Sequence, residues 1–144
     1  MSTGGLMLLE NDKSYVPSDD EPFMNERQRE YFRQKLIGWK QEILTESRET
    51  LESLQAENTN HPDLADRASS ETDRSIELRA RDRQRKLISK IDAALLRIDD
   101  GTYGYCEDTG EPISLNRLDA RPIATLSIEA QERHERRERV YRDD

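Results

Sequence analysis

The groups in this chain that could do chemistry are few: one thiol, Cys106, two imidazoles, His61 and His134, and a surplus of carboxylates. A nucleophilic cysteine needs a base beside it, and nothing in the local sequence sets either histidine next to Cys106. His134-Glu135 lacks the second histidine that a zinc-hydrolase helix carries. His61 precedes Pro62 in a turn and reads as a solvated turn residue. No glycine-rich phosphate loop occurs. The pattern speaks against an enzyme.

Tyr103-Gly104-Tyr105-Cys106 is more informative. It leads into a stretch punctuated by Gly104, Gly110, Pro112 and Pro122, as the entry to a zinc knuckle would. The remaining ligand positions carry Thr109, Ser127 and Ala130. One thiolate does not make a tetrahedral zinc site. Cys106 therefore reads as a buried, inert cysteine in a degenerate site at positions 106, 109, 127 and 130, and no metal is expected there. Ser127 can instead cap a helix. Tyr103, Tyr105, Ile113, Leu115, Leu118 and Ile128 are the expected apolar cluster around the thiol. Near the middle of the chain, Asp63 can cap a helix, with Asp66 in the capping-box position.

The elements that must position these groups follow from periodicity. Asn25 caps a helix whose Tyr31, Phe32, Leu36, Ile37, Trp39, Ile43 and Leu44 recur at helical spacing. It runs to about Ala56. Asn58-Thr59-Asn60-His61-Pro62 breaks it. A second helix carries Ile76, Leu78, Leu87, Ile88, Ile91, Ala94, Leu95 and Ile98, and Gly101 ends it. Two such helices of roughly 30 residues make a hairpin roughly 45 Å long. The expected fold is mainly α: a long antiparallel coiled-coil hairpin, a small degenerate zinc-finger-like knob and a C-terminal helix. The segments are a loose tail over 1–24, the hairpin over 25–101 with its tip near 58–68, the knob over 102–126 and the last helix over 127–144.

Composition fits a thin, surface-rich molecule. Of 144 residues 38% are charged and 33% hydrophobic, and the net charge is −8. A negative surplus argues against general nucleic-acid binding. A single cysteine allows no intrachain disulfide. Leu6 to Leu9 is the one apolar run near the start and lacks the basic flank of a signal peptide. No stretch is long enough to span a membrane. A soluble, cytoplasmic protein that works by contact is expected.

Several motifs then run in order from about Asn25 to Gln131: Tyr31-Phe32-Arg33 with Trp39; His61-Pro62-Asp63-Leu64-Ala65-Asp66-Arg67-Ala68; Ile76-Glu77-Leu78-Arg79; Arg81-Asp82-Arg83-Gln84-Arg85-Lys86-Leu87-Ile88; Tyr103-Gly104-Tyr105-Cys106-Glu107; and Arg117-Leu118-Asp119-Ala120-Arg121-Pro122. In these the sequence resembles the DksA family of bacterial regulators that act in the secondary channel of RNA polymerase. It looks like a zinc-free member, since Thr109, Ser127 and Ala130 stand where the family has cysteines. The resemblance implies a monomer that binds RNA polymerase, does not bind DNA directly and modulates initiation. It would inhibit ribosomal RNA promoters and activate others, with guanosine tetraphosphate (ppGpp), in the stringent response. It implies that Asp63, Asp66 and Ala68 form the tip near the polymerase active centre. It also implies that Leu87, Lys90 and Arg121 contact the tetraphosphate, with Gln131 replacing a further family lysine. The other readings are an acidic coiled-coil adaptor for a different partner and a transcript-cleavage stimulator.

Overall fold

The structure is a computed structural model and describes residues 14–58 and 64–143. Four helices follow in order: α1 (Glu26–Asn58), α2 (Leu64–Asp100), α3 (Leu115–Ala120) and α4 (Ile128–Asp143). The described residues contain one isolated antiparallel bridge, Tyr105 to Pro112, and no strand. By contacts they form two units. One comprises the described residues of Met1–Leu36 and Ala94–Asp144, the other Ile37–Ala93.

The first unit begins where the sequence suggested a loose tail. Residues 1–13 lie outside the described residues, but 14–24 are tied down, which corrects the expectation for that part. The Tyr15 hydroxyl donates to the Glu21 carboxylate at 2.9 Å. The Tyr15 ring meets Tyr31 edge-on at 6.0 Å, and the Arg27 guanidinium stacks on it at 3.8 Å. Aromatic and cation–π contacts of this kind offset the entropy of ordering a polar segment. Phe23 packs against Tyr105 at 5.4 Å. Phe23 and Met24 also close over Gly104, whose φ of +93° and lack of a side chain admit them; a Cβ there would lie 3.2 Å from both side chains.

This segment delivers the chain into α1 through two side chains. Asn25 caps the helix as expected, its Oδ1 accepting the Gln28 N–H at 2.8 Å. Gln28 is fully buried, and both ends of its amide are used. Its Oε1 accepts the Met24 N–H at 2.8 Å and its Nε2 donates to the Ser18 carbonyl at 3.2 Å. A buried amide is tolerated only when satisfied in this way.

The core of this unit is Phe32 and Leu36 from α1, Ala94 and Ile98 from α2, and Tyr103, Ile113, Leu115, Leu118, Ala124 and Ala130 beyond them. Two expected core residues are outside it: Tyr105 is 39% and Ile128 47% exposed. Tyr105 is turned out by the bridge to Pro112, and Ile128 opens α4 on its solvent side. α2 stops as its sequence suggested. Gly101 takes φ +85°, and the Thr102 N–H returns to the Arg97 carbonyl at 2.9 Å, the left-handed C-terminal motif that glycine allows.

In the second unit α1 and α2 pair antiparallel, as their cross-links show: Lys40 to Asp92 at 2.7 Å and Ser47 to Gln84 at 2.6 Å. Ile43 and Ile91 are buried here. Between Leu44 and Lys90 no described side chain is buried, and Leu44, Ile76 and Leu78 are exposed rather than in the seam. The seam there is polar, so apolar burial holds that stretch only weakly. No helix among the described residues is long and apolar enough to cross a membrane.

The Gln28 amide makes a clear test. Gln28→Leu leaves the Met24 N–H without its acceptor, while the Ser18 carbonyl loses one donor and keeps the Glu21 N–H at 3.2 Å. The orphaned N–H should cost about 1–3 kcal/mol, read as a lower melting temperature, while Gln34→Ala on the exposed face should melt as wild type.

Candidate functional site

Little of the expected tip lies among the described residues. Asp63 lies outside the described residues, and Asp66 and Ala68 are helical in α2 with side chains not described. Farther along α2, Leu87 is half-buried and Lys90 exposed, both within the Ile37–Ala93 unit. Lys90 makes no ion pair among the described residues.

Arg121 belongs to the other unit, where several links fix the turn around it. α3 forms because Ser114 caps it, accepting the Arg117 N–H at 3.3 Å, and because Leu115 and Leu118 bury one face. It ends at Arg121, whose extended backbone precedes Pro122, as a residue before proline prefers. The Arg121 N–H still closes the helix on the Arg117 carbonyl at 2.7 Å. Asp119 Oδ1 accepts from the Tyr31 hydroxyl and the Lys35 ammonium, each at 2.5 Å. The buried Tyr103 hydroxyl donates to the Pro122 carbonyl at 2.7 Å. Arg117 Nε donates to the Leu126 carbonyl at 2.8 Å. The Arg121 side chain itself is exposed and has no hydrogen bond or ion pair among the described residues.

These links set the local charges. The hydrogen bonds from Lys35 and Tyr31 hold Asp119 below the ordinary carboxylate range. Burial, and then Asp119, push Tyr31 up to about 12, so it stays a donor. Gln131 is neutral and bonded locally, its amide reaching Glu135 at 3.4 Å.

The degenerate knuckle is assembled by hydrogen bonds. Cys106 N–H donates to the Glu111 carbonyl at 2.8 Å, and the Gly110 N–H returns to the Cys106 carbonyl at 2.8 Å. That closes a turn at Thr109-Gly110, with Gly110 at φ +74°. The Ser127 N–H donates to Cys106 Sγ at 3.4 Å, and Ser127 Oγ lies 3.7 Å from the sulfur. Ser127 caps α4 as expected, its Oγ accepting the Ala130 N–H at 3.2 Å.

Positions 106, 109, 127 and 130 therefore do converge, but they do not fit zinc. They offer one thiolate, a threonine hydroxyl, a serine oxygen already used as a cap and a methyl group. Among the described residues no cluster of three His, Cys, Asp or Glu side chains could hold a metal ion.

Cys106 is buried, as expected, at 2% exposure, but it is not an ordinary thiol. Burial, the largest single influence, raises its pKa. The Ser127 N–H, the Thr109 hydroxyl and N–H and the Asp108 N–H together outweigh it and bring the pKa down to about 6. At neutral pH the sulfur is mainly thiolate, held by the donors that its own loop supplies.

One partner was not legible in the sequence. His134 Nε2 lies 2.8 Å from Asp108 Oδ2 and links α4 to the knuckle turn. The two residues are 26 apart, and neither belongs to a local motif.

A depressed pKa stabilises the fold above the unfolded thiol's pKa of about 8.5 and loses that contribution as pH falls towards the folded value. The melting temperature should therefore drop between about pH 8.5 and about pH 6. Cys106→Ser should remove that slope. Ultraviolet thiolate absorbance of the native protein should half-titrate near pH 6; a midpoint near that of free cysteine would contradict the hydrogen-bonded thiolate.

Comparison with known proteins agrees with this architecture. The family model described as "DnaK suppressor protein DksA, N-terminal domain" matches residues 28–98, and "Prokaryotic dksA/traR C4-type zinc finger" matches 101–136. The "RNA polymerase-binding transcription factor DksA" of Caulobacter vibrioides (strain NA1000 / CB15N) is 70% identical over 144 residues, covering all of both chains. Proteins of the same name from Haemophilus influenzae and Escherichia coli K12 are 45% and 39% identical, each covering 96% of this chain and 97% and 91% of their own. The solved structure of transcription factor DksA2 from Pseudomonas aeruginosa superposes with a TM-score of 0.77 at 41% identity, covering 94% of this chain and 98% of that one. With whole-length identity, matching family models and a shared hairpin-and-knuckle fold, the chain belongs to the DksA family.

Proposed function

We propose that the protein binds RNA polymerase through its secondary channel and modulates transcription initiation. It lowers output from ribosomal RNA promoters and raises it at others, together with guanosine tetraphosphate. The observation that carries this is the 70% identity over the full chain to a protein named RNA polymerase-binding transcription factor DksA. The protein acts by binding rather than by catalysis, as a cytoplasmic monomer that makes no direct contact with DNA. The net charge of −8 supports a protein rather than a nucleic-acid partner.

In this reading Asp63, Asp66 and Ala68 work at the polymerase active centre, and Leu87, Lys90 and Arg121 contact the tetraphosphate. Lys90 and Arg121 are suited to it: each is an exposed cation with no ion pair among the described residues. Gln131 adds no charge and weakens the site relative to a lysine. No zinc takes part, so chelators should leave activity unchanged.

The central experiment is transcription from a ribosomal RNA promoter with purified polymerase, with and without protein and tetraphosphate. Asp63→Asn and Asp66→Asn separate charge from capping, because Asn caps about as well as Asp. Both variants should keep wild-type helix content and capture polymerase, yet lose most of the inhibition. If both inhibit as wild type does, the tip acids act only as caps.

Lys90→Ala or Arg121→Ala should raise the tetraphosphate concentration needed for half effect. The loss of a charge-assisted hydrogen bond of about 1.5–3 kcal/mol corresponds to roughly 10- to 150-fold. Wild-type responses from both variants would remove these residues from the site.

A further inference from the structure

Arg121 presents an asymmetry. Its backbone is held on every side, while its guanidinium is held by nothing among the described residues. Its N–H goes to the Arg117 carbonyl at 2.7 Å, and its own carbonyl accepts the Ala124 N–H at 3.0 Å. The next residue is fixed by Tyr103, and Asp119, two residues before, by Tyr31 and Lys35. Arg117, on the same short helix, instead spends its guanidinium internally on the Leu126 carbonyl.

The clamp on Asp119 has a second effect. Asp119 is the carboxylate nearest in sequence to Arg121, and a free carboxylate there would compete with an incoming phosphate for the same fork of donors. Tyr31 and Lys35 lie one turn apart on α1 and converge on a single oxygen of Asp119. Lys35 also lies 5.7 Å from the Tyr31 ring, and that ring is held by Tyr15. The aspartate is thereby mechanically fixed, and its negative charge is paired with the Lys35 ammonium. A fixed backbone lowers the ordering cost when a guanidinium engages an external anion.

We propose that Lys35, with Tyr31, makes Asp119 a positioning residue: the clamp mounts the Arg121 turn and keeps its guanidinium free for an external polyphosphate. This rests on Arg121 being a tetraphosphate contact, as proposed above. Lys35 touches no ligand; it acts through Asp119.

The test measures the tetraphosphate concentration for half effect at a ribosomal RNA promoter, beside inhibition without the nucleotide and the melting temperature. Lys35→Met frees the Asp119 charge and should raise that concentration about fivefold, the upper range of an exposed charge pair, while inhibition without the nucleotide stays unchanged. Lys35→Met combined with Asp119→Asn removes the freed charge and keeps an acceptor for Tyr31. It should return to within about twofold of wild type, the scale of a neutral surface change. A merely structural role would give no such rescue, because the double variant has lost more contacts than the single one. Arg121→Ala separates the two ideas. If it does not shift the response, the tetraphosphate contact and this proposal fall together. If it shifts the response but Lys35→Met does not, or the double variant is not rescued, the positioning role alone is overturned.

Discussion

The larger unit depends on one joint, the ring of Phe32 against the ring of Tyr103. Their centroids are 5.6 Å apart, and both side chains are essentially excluded from water. Phe32 comes from the first turns of α1 and Tyr103 from the first turn after α2, so this contact fastens the knuckle to the start of α1 within that unit. Burying each such ring stabilises the fold by about 1.5–3 kcal/mol. Tyr103 adds a polar anchor. Burial pushes its pKa up, so its hydroxyl remains a donor and holds the Pro122 carbonyl at 2.7 Å. α3, its exit turn and Arg121 take their positions from that anchor and from the clamp on Asp119.

The knuckle shows how a zinc-finger framework can be organised with a single cysteine. In a zinc knuckle the metal ties two turns together and supplies folding energy. Here the Cys106 sulfur is held by N–H and hydroxyl donors from its own turn and from Ser127. Ser127 joins the turn to α4 by capping it, and His134 reaches back to Asp108. Residues 14–24 add a packed cover, with Phe23 and Met24 over Gly104. These are many modest interactions, and the Cys106 thiol among them, with its pKa brought down to about 6, makes the stability of this knuckle depend on pH.

The Ile37–Ala93 unit is built on different terms. Ile43 and Ile91 are buried, and beyond them the seam relies on Lys40–Asp92 and Ser47–Gln84. Exposed ion pairs contribute about 1 kcal/mol or less, so apolar packing does not hold this stretch as it holds the larger unit. Local opening concentrates where buried apolar contacts are few.

Much of this was legible in the residues. The spacing of Phe32, Leu36 and Ile43 placed the buried face of α1; Asn25, Ser127 and Gly101 marked helix ends, because capping is local chemistry between neighbours in the chain. The incomplete ligand set at Cys106, Thr109, Ser127 and Ala130 was equally plain, since coordination depends first on donor type. Tertiary structure decided what local chemistry cannot. It turned Tyr105 and Ile128 outward, left Ile76 and Leu78 exposed, and packed part of an expected loose tail through Gln28 and Tyr15. It joined Tyr31 and Lys35 to an aspartate more than 80 residues away, and gave Cys106 its thiolate character through donors on two separate turns. Sequence spacing fixes which face of a helix a residue shares; the partner that face meets, and the charge a buried group then carries, depend on contacts between segments far apart in the chain.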